Sequence, residues 1–239
     1  MNLLKAKPNR TVNFNSDSPS RFLFDILIYI AVMFSIREIY FAELHFLANG
    51  LFWSTITLVV ATWRMKVRGV TWKDLGLCRP KNYKMAALAT ILIPIASIAF
   101  IIAFKAFQGL LGLEVQEDNS NEAAVSKFGD LYGNWLLFFT IIPFVWIQSA
   151  LEEMLDRGFL IVWFEKIFSS TVFATILAVL FQAIIFGYRH SNDFSERSIT
   201  VGLIGLAMGL GYVLFGRNLW PLIIAHCFLN TVSMVGRVV

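Results

Sequence analysis

Charge is scarce in this chain. Lys, Arg, Asp and Glu together make up 15% of its 239 residues, where a soluble domain carries about a quarter. Cysteine is scarcer still: Cys78 and Cys227 stand far apart, with no C-x-x-C pair. That excludes a disulfide framework and a cysteine zinc ribbon, and both residues read as small hydrophobic or interfacial groups. No glycine-rich phosphate loop of the P-loop or dinucleotide type occurs, so no nucleotide is expected. No H-E-x-x-H occurs either. There is no internal repeat, and no short apolar region with a small-residue cleavage site opens the chain. The net charge of +4 does not point to nucleic acid, because the cations cluster between apolar runs, where they orient spans.

Hydrophobic residues are abundant instead, at 57% with a mean hydropathy of +0.67. Several runs reach the ~17–20 residues needed to cross a bilayer core. The expected fold is an all-α, polytopic transmembrane helical bundle of seven or eight spans. Residues 1–21 form a polar segment, expected to be cytoplasmic. Residues 22–239 form a single membrane domain, whose chemistry is concentrated at about 134–235. Spans are expected near Phe22–Ile36, Phe46–Trp63, Met85–Phe107, Asn134–Phe168, Thr171–Tyr188, Ile199–Phe215 and Leu219–Val235. Pro143 should bend the fourth run, which is either one kinked helix or two.

The densest basic segment holds Arg64, Lys66, Arg68, Lys73, Arg79, Lys81 and Lys84, and is expected inside the cell. Within it, TWKDLGLCRP reads as an interfacial element with Trp72 at headgroup level. The loop Gln108–Gly133 carries Glu114, Glu117, Asp118, Glu122 and Asp130 against Lys127, and is placed outside. Gly205 and Gly209 have the small-xxx-small spacing of close helix packing.

One stretch breaks the apolar pattern: WIQSALEEMLDRGF, residues 146–159. Carboxylates at membrane depth cost roughly 2–3 kcal/mol or more, so an ionisable group there is a functional candidate. Successive helical residues diverge by ~100°, so Glu152 and Glu153 face different ways. Glu153 and Arg157 are four apart and can pair, which reads equally well as a buried structural ion pair. Glu152 is left to point elsewhere.

Of the three histidines, His45 lies in a loop and reads as interfacial. His190 follows Phe186 by four residues, and His226 precedes Asn230 by four. At 1.5 Å per residue, Glu152 and His190 differ in depth by less than ~10 Å from the turn between them. His226 lies only ~13 Å from the turn at Arg217. It reaches the others only if its helix starts deeper or the glutamate helix tilts.

The ordered set EExxxR, FxxxH, HxxxN resembles the CPBP family of CAAX proteases and bacteriocin-processing enzymes, also called the Abi family of intramembrane endopeptidases. The Ras-converting prenyl protease belongs to it. The resemblance covers roughly Trp72 to Met234. It matches Glu152, Glu153 and Arg157 to the first motif, Phe186 and His190 to the second, and His226 and Asn230 to the third. Asp156 stands where the family often has an aromatic residue, and could compete for Arg157. The resemblance implies an intramembrane endopeptidase acting on a membrane-associated or lipidated peptide or protein in the bilayer.

Chemically, a carboxylate in a low-dielectric pocket suits a general base near neutral pH. Glu152 would take the proton of a water that His190 orients. His226 and Asn230 would donate to the oxyanion, and Glu153 and Arg157 would hold the helix and tune the field. The expected enzyme is glutamic, with no cofactor. A zinc version would use Glu152, His190 and His226, but asparagine is a poor ligand and the metalloprotease motif is missing. Other readings are a non-enzymatic immunity or scaffold protein, and a transporter, which the lack of a repeat disfavours. A multi-pass bacterial cytoplasmic membrane protein with its N-terminus inside is expected.

Overall fold

A computed structural model describes residues 14, 18–112, 115, 127–169 and 171–239. Within them the secondary structure is helical, with no strand. Seven helices are long and apolar enough to cross a membrane. They are α1 (Pro19–Glu38, closing in a 3-10 turn), α2 (Phe46–Val67), α3 (Tyr83–Leu111), α4 (Trp135–Ile167), α5 (Val172–Ser191), α6 (Glu196–Leu214) and α7 (Leu219–Val238). The chain is therefore an integral, multi-pass membrane protein. The acidic residues Glu114, Glu117, Asp118 and Glu122 lie outside the described residues, as does most of the segment 1–21.

The boundaries follow from local chemistry. Asn82, Asn134, Thr171 and Asn218 cap α3, α4, α5 and α7, each side chain accepting a backbone N–H of the first turn. His45 does the same for α2 through Nδ1. Gly112 and Asn192 end α3 and α5 in the left-handed conformation that these residue types tolerate.

Pro143 does not divide the fourth run. α4 continues through it as one element, so the count is seven. The irregularity comes later: Glu153–Ile161 is a π-helix, between α-helical segments Trp135–Glu152 and Val162–Ile167. Such widened turns cluster at functional sites, and this one carries Glu153, Asp156, Arg157 and Gly158, all buried.

Two polar clusters and one close packing hold the bundle. Asp25 of α1, fully buried, accepts from Arg64 Nε (2.8 Å), Arg68 Nε (2.7 Å) and Trp163 Nε1 (3.1 Å). It ties α1, α2 and the end of α4 together, beside the packed rings of Phe159 and Trp163. Glu165 is gripped bidentately by Arg217 (2.8 and 2.6 Å). α5 and α6 touch backbone to backbone. A Cβ on Gly187 would stand 2.4 Å from the Ser198 carbonyl oxygen, and one on Gly209 would stand 3.0 Å from Val179. The glycines of the sixth span thus serve packing, as their spacing suggests.

The segment Thr71–Cys78 packs against the bundle. Trp72 is half-buried, donates its Nε1 proton to Thr62 (3.0 Å), and faces Gly158. Leu75 is buried. Tyr212 donates to the Leu75 carbonyl (2.7 Å), Leu219 N–H to the Gly76 carbonyl (3.1 Å), and Asn218 Nδ2 to the Cys78 carbonyl (2.7 Å). These bonds draw the α6–α7 turn into the bundle, so α7 starts deep. Leu219 is fully buried and level with Gly158, where a Cβ would meet it at 3.2 Å.

Candidate active site

The depth of α7 decides whether the site exists. Gly158 lies six residues after Glu152 on α4, and Leu219 seven before His226 on α7. At 1.5 Å per residue those are about 9 and 10.5 Å. Because Gly158 and Leu219 are level, Glu152 and His226 are level too. The depth gap in the sequence reading closes by the deeper helix start.

Glu152, at the end of the α-helical part of α4, is almost buried, at 9% exposure. His190 Nε2 lies 3.8 Å from its Oε1, and His226 Nε2 lies 3.9 Å from its Oε2. Both imidazoles thus turn the same nitrogen towards one carboxylate. Their other nitrogens are engaged. His190 Nδ1 lies 2.6 Å from the Phe186 carbonyl oxygen, which can only accept, so Nδ1 carries the proton. In the neutral ring Nε2 then presents its lone pair to Glu152. His226 Nδ1 lies 2.7 Å from Glu153 Oε1.

Glu153 and Arg157 are fully buried and form the expected pair, with Nη1 3.0 Å from Oε1. The angle falls outside hydrogen-bond geometry, and the guanidinium is covered instead by the Phe186 ring at 4.2 Å. Phe186 also packs against His190, the ring centroids 4.6 Å apart and the planes tilted. So the aromatic and the arginine of the motifs form one contact. Asn230 is near but does not touch Glu152: it donates to Ser149 Oγ at 2.9 Å. One of its two amide protons is used there.

Asp156 does not compete for Arg157. It pairs with Arg189 of α5, Oδ2 to Nη2 at 2.7 Å and Oδ1 to Nη1 at 3.3 Å. Arg189 Nη2 also lies 4.0 Å from Glu152 Oε1. Arg37 of α1 donates to the Arg189 backbone carbonyl. Gln148 donates to Glu152 Oε1 (3.1 Å) and to Ser54 Oγ of α2 (2.8 Å). Sequence reasoning missed Arg189, Gln148, Ser149, Ser54 and Arg37. Gln148 and Ser149 precede the two glutamates by four, a legible helical signal. Nothing in the sequence marks Arg189, Ser54 or Arg37.

Among the described residues no group of three or more His, Cys, Asp or Glu is spaced as a metal site. Glu152, His190 and His226 supply ligand types that zinc accepts, at separations somewhat wider than bound donors take.

Residues 134–232 match the family model described as Rce1-like, Type II CAAX prenyl endopeptidase. That region is similar to the Rce1-like family. This agrees with the CPBP resemblance of its motifs, and the family is one of membrane-embedded endopeptidases. Comparison with curated proteins and with solved structures returns no match. All the motif residues fall inside the matched region. Arg37 and Ser54, and the turn around Gly76 that sets the depth of α7, lie outside it. α1, α2 and the Thr71–Cys78 segment therefore complete the site from beyond the matched region.

Proposed function

We propose that this protein hydrolyses a peptide bond in a membrane-associated or lipidated peptide or protein, with Glu152 as general base. The observation that carries the reading is the approach of two imidazole Nε2 atoms to the two oxygens of one buried carboxylate, at 3.8 and 3.9 Å. These separations are about 1 Å longer than direct hydrogen bonds, and suit a water between Glu152 and His190. That water donates one proton towards Glu152 and one towards the His190 lone pair.

Its oxygen attacks the scissile carbonyl carbon and its proton passes to Glu152. The carbonyl oxygen becomes an oxyanion. His226 donates Nε2–H to it, the ring held in place by the contact of its Nδ1 with Glu153 Oε1 at 2.7 Å. The second amide proton of Asn230 is available as a further donor. Collapse breaks the C–N bond, and Glu152 returns its proton to the leaving amine. Phe186 and Arg157 hold this frame. A CAAX prenyl peptide, the substrate class in the family's description, is the first to try. The basic helix ends face the cytoplasm in this reading, with the N-terminus inside.

The test is Glu152→Gln in the full chain, assayed for peptide release in native membranes. It keeps the shape and the Gln148 neighbourhood but removes the base. We expect cleavage to fall by 10² to 10⁴, the range of a lost general base, with the variant still folded. Undiminished release from that variant would refute the protease reading.

A further inference from the structure

His226 and Asn230 owe their depth to the Thr71–Cys78 turn, and the outer surface of that turn is basic. Lys73, Arg79 and Lys81 are exposed and, with Cys78, line a cavity of about 520 Å³. The carbonyl of Cys78 is the acceptor that holds Asn218, the cap of α7, at 2.7 Å. Whatever fills the cavity therefore rests against a residue that positions α7.

The cavity lies between the end of α2 at Val67 and the start of α3 at Tyr83, so it sits where a bundle meets the headgroup layer. Trp63 near the end of α2 and Tyr83 at the start of α3 are exposed, and such aromatic residues favour a membrane interface. Cations for a phosphate, with aromatic and apolar surface beside them for chains, fit a phospholipid better than a soluble anion.

We propose that this cavity binds the headgroup phosphate of an anionic phospholipid, and that occupancy steadies the turn that sets the depth of His226 and Asn230. The binding claim does not depend on the protease reading, so the two fail separately.

The experiment uses the full chain in neutral detergent, with lipid retention read by native mass spectrometry. Phosphatidylglycerol is titrated against phosphatidylcholine, with inorganic phosphate as competitor. Wild type is expected to retain phosphatidylglycerol preferentially. Replacing Lys73, Arg79 and Lys81 together by Gln should reduce that preference about tenfold or more, since each juxtamembrane cation adds attraction to anionic lipid. Replacing Lys66 and Lys84, basic neighbours that do not line the cavity, should leave it nearly unchanged. In parallel, amide exchange along Leu219–His226 should slow in phosphatidylglycerol nanodiscs relative to phosphatidylcholine ones.

No headgroup preference in wild type overturns the site, even if the triple variant fails to fold. An equal loss in the Lys66 and Lys84 variant reduces it to general surface charge. Displacement of lipid by inorganic phosphate at matched concentration makes the ligand a soluble anion. Exchange that ignores the headgroup removes the link to α7.

Discussion

Asp156→Asn isolates the ion pair between Asp156 and Arg189. The substitution keeps the side chain's shape and removes its charge. It weakens two contacts to Arg189, at 2.7 and 3.3 Å, and leaves that guanidinium with Glu152 Oε1, 4.0 Å away, as its remaining carboxylate. Both partners are buried, Asp156 fully and Arg189 at 5% exposure. Removing one partner of a buried pair costs roughly 3–5 kcal/mol. For a chain of this size each kcal/mol shifts Tm by about 2–4 °C, so Tm should fall by roughly 6–20 °C. Replacing both residues, as Asp156→Leu with Arg189→Met, removes the orphaned charge. It should hold Tm within a few degrees of wild type or raise it. The double variant also strips Glu152 of its neighbouring cation, so peptide release should fall although the fold survives. Thermal unfolding in detergent, followed by tryptophan fluorescence beside a cleavage assay, reads both effects. An Asp156→Asn variant within about 2 °C of wild type, or a double variant as damaged as the single one, would refute the reasoning.

Other outcomes follow from the same geometry. Gly76 has φ of +105°, and a Cβ there would stand 2.1 Å from the Arg217 carbonyl oxygen. Gly76→Ala should displace the α7 start and lower kcat/KM about 10²-fold, the cost of a displacement near 1 Å at a reacting centre. Unchanged kinetics would mean that α7 takes its depth from elsewhere. Gln148→Leu removes a hydrogen bond to the Glu152 carboxylate, worth roughly 1.5–3 kcal/mol. Cleavage should drop about tenfold to a hundredfold, measured as kcat in membranes. Exhaustive chelation should leave hydrolysis intact. Loss that zinc restores would instead assign Glu152, His190 and His226 as ligands.

Composition and spacing alone determined much. Long apolar runs with few charges leave membrane spans as the only economical structure, because every backbone group must be satisfied inside the segment. Residues four apart share a helix face, so the pairing of Glu153 with Arg157 could be read directly. The order of the three motifs led to the endopeptidase family, and glycine spacing to close helix packing. What escaped was whatever depends on one segment meeting a distant one. Asp156 read as a competitor for Arg157 because its actual partner, Arg189, is on another span. Whether Pro143 or a widened turn would interrupt α4 depends on what packs around it. The depth of His226 was miscounted because turns were assumed to lie at one level. Backbone bonds from Leu75, Gly76 and Cys78 draw the Arg217 turn inward. The sequence by itself therefore determined which residues are candidates for the chemistry. Only the tertiary structure decided that they meet, because the depth of a helix is set by what its ends bind.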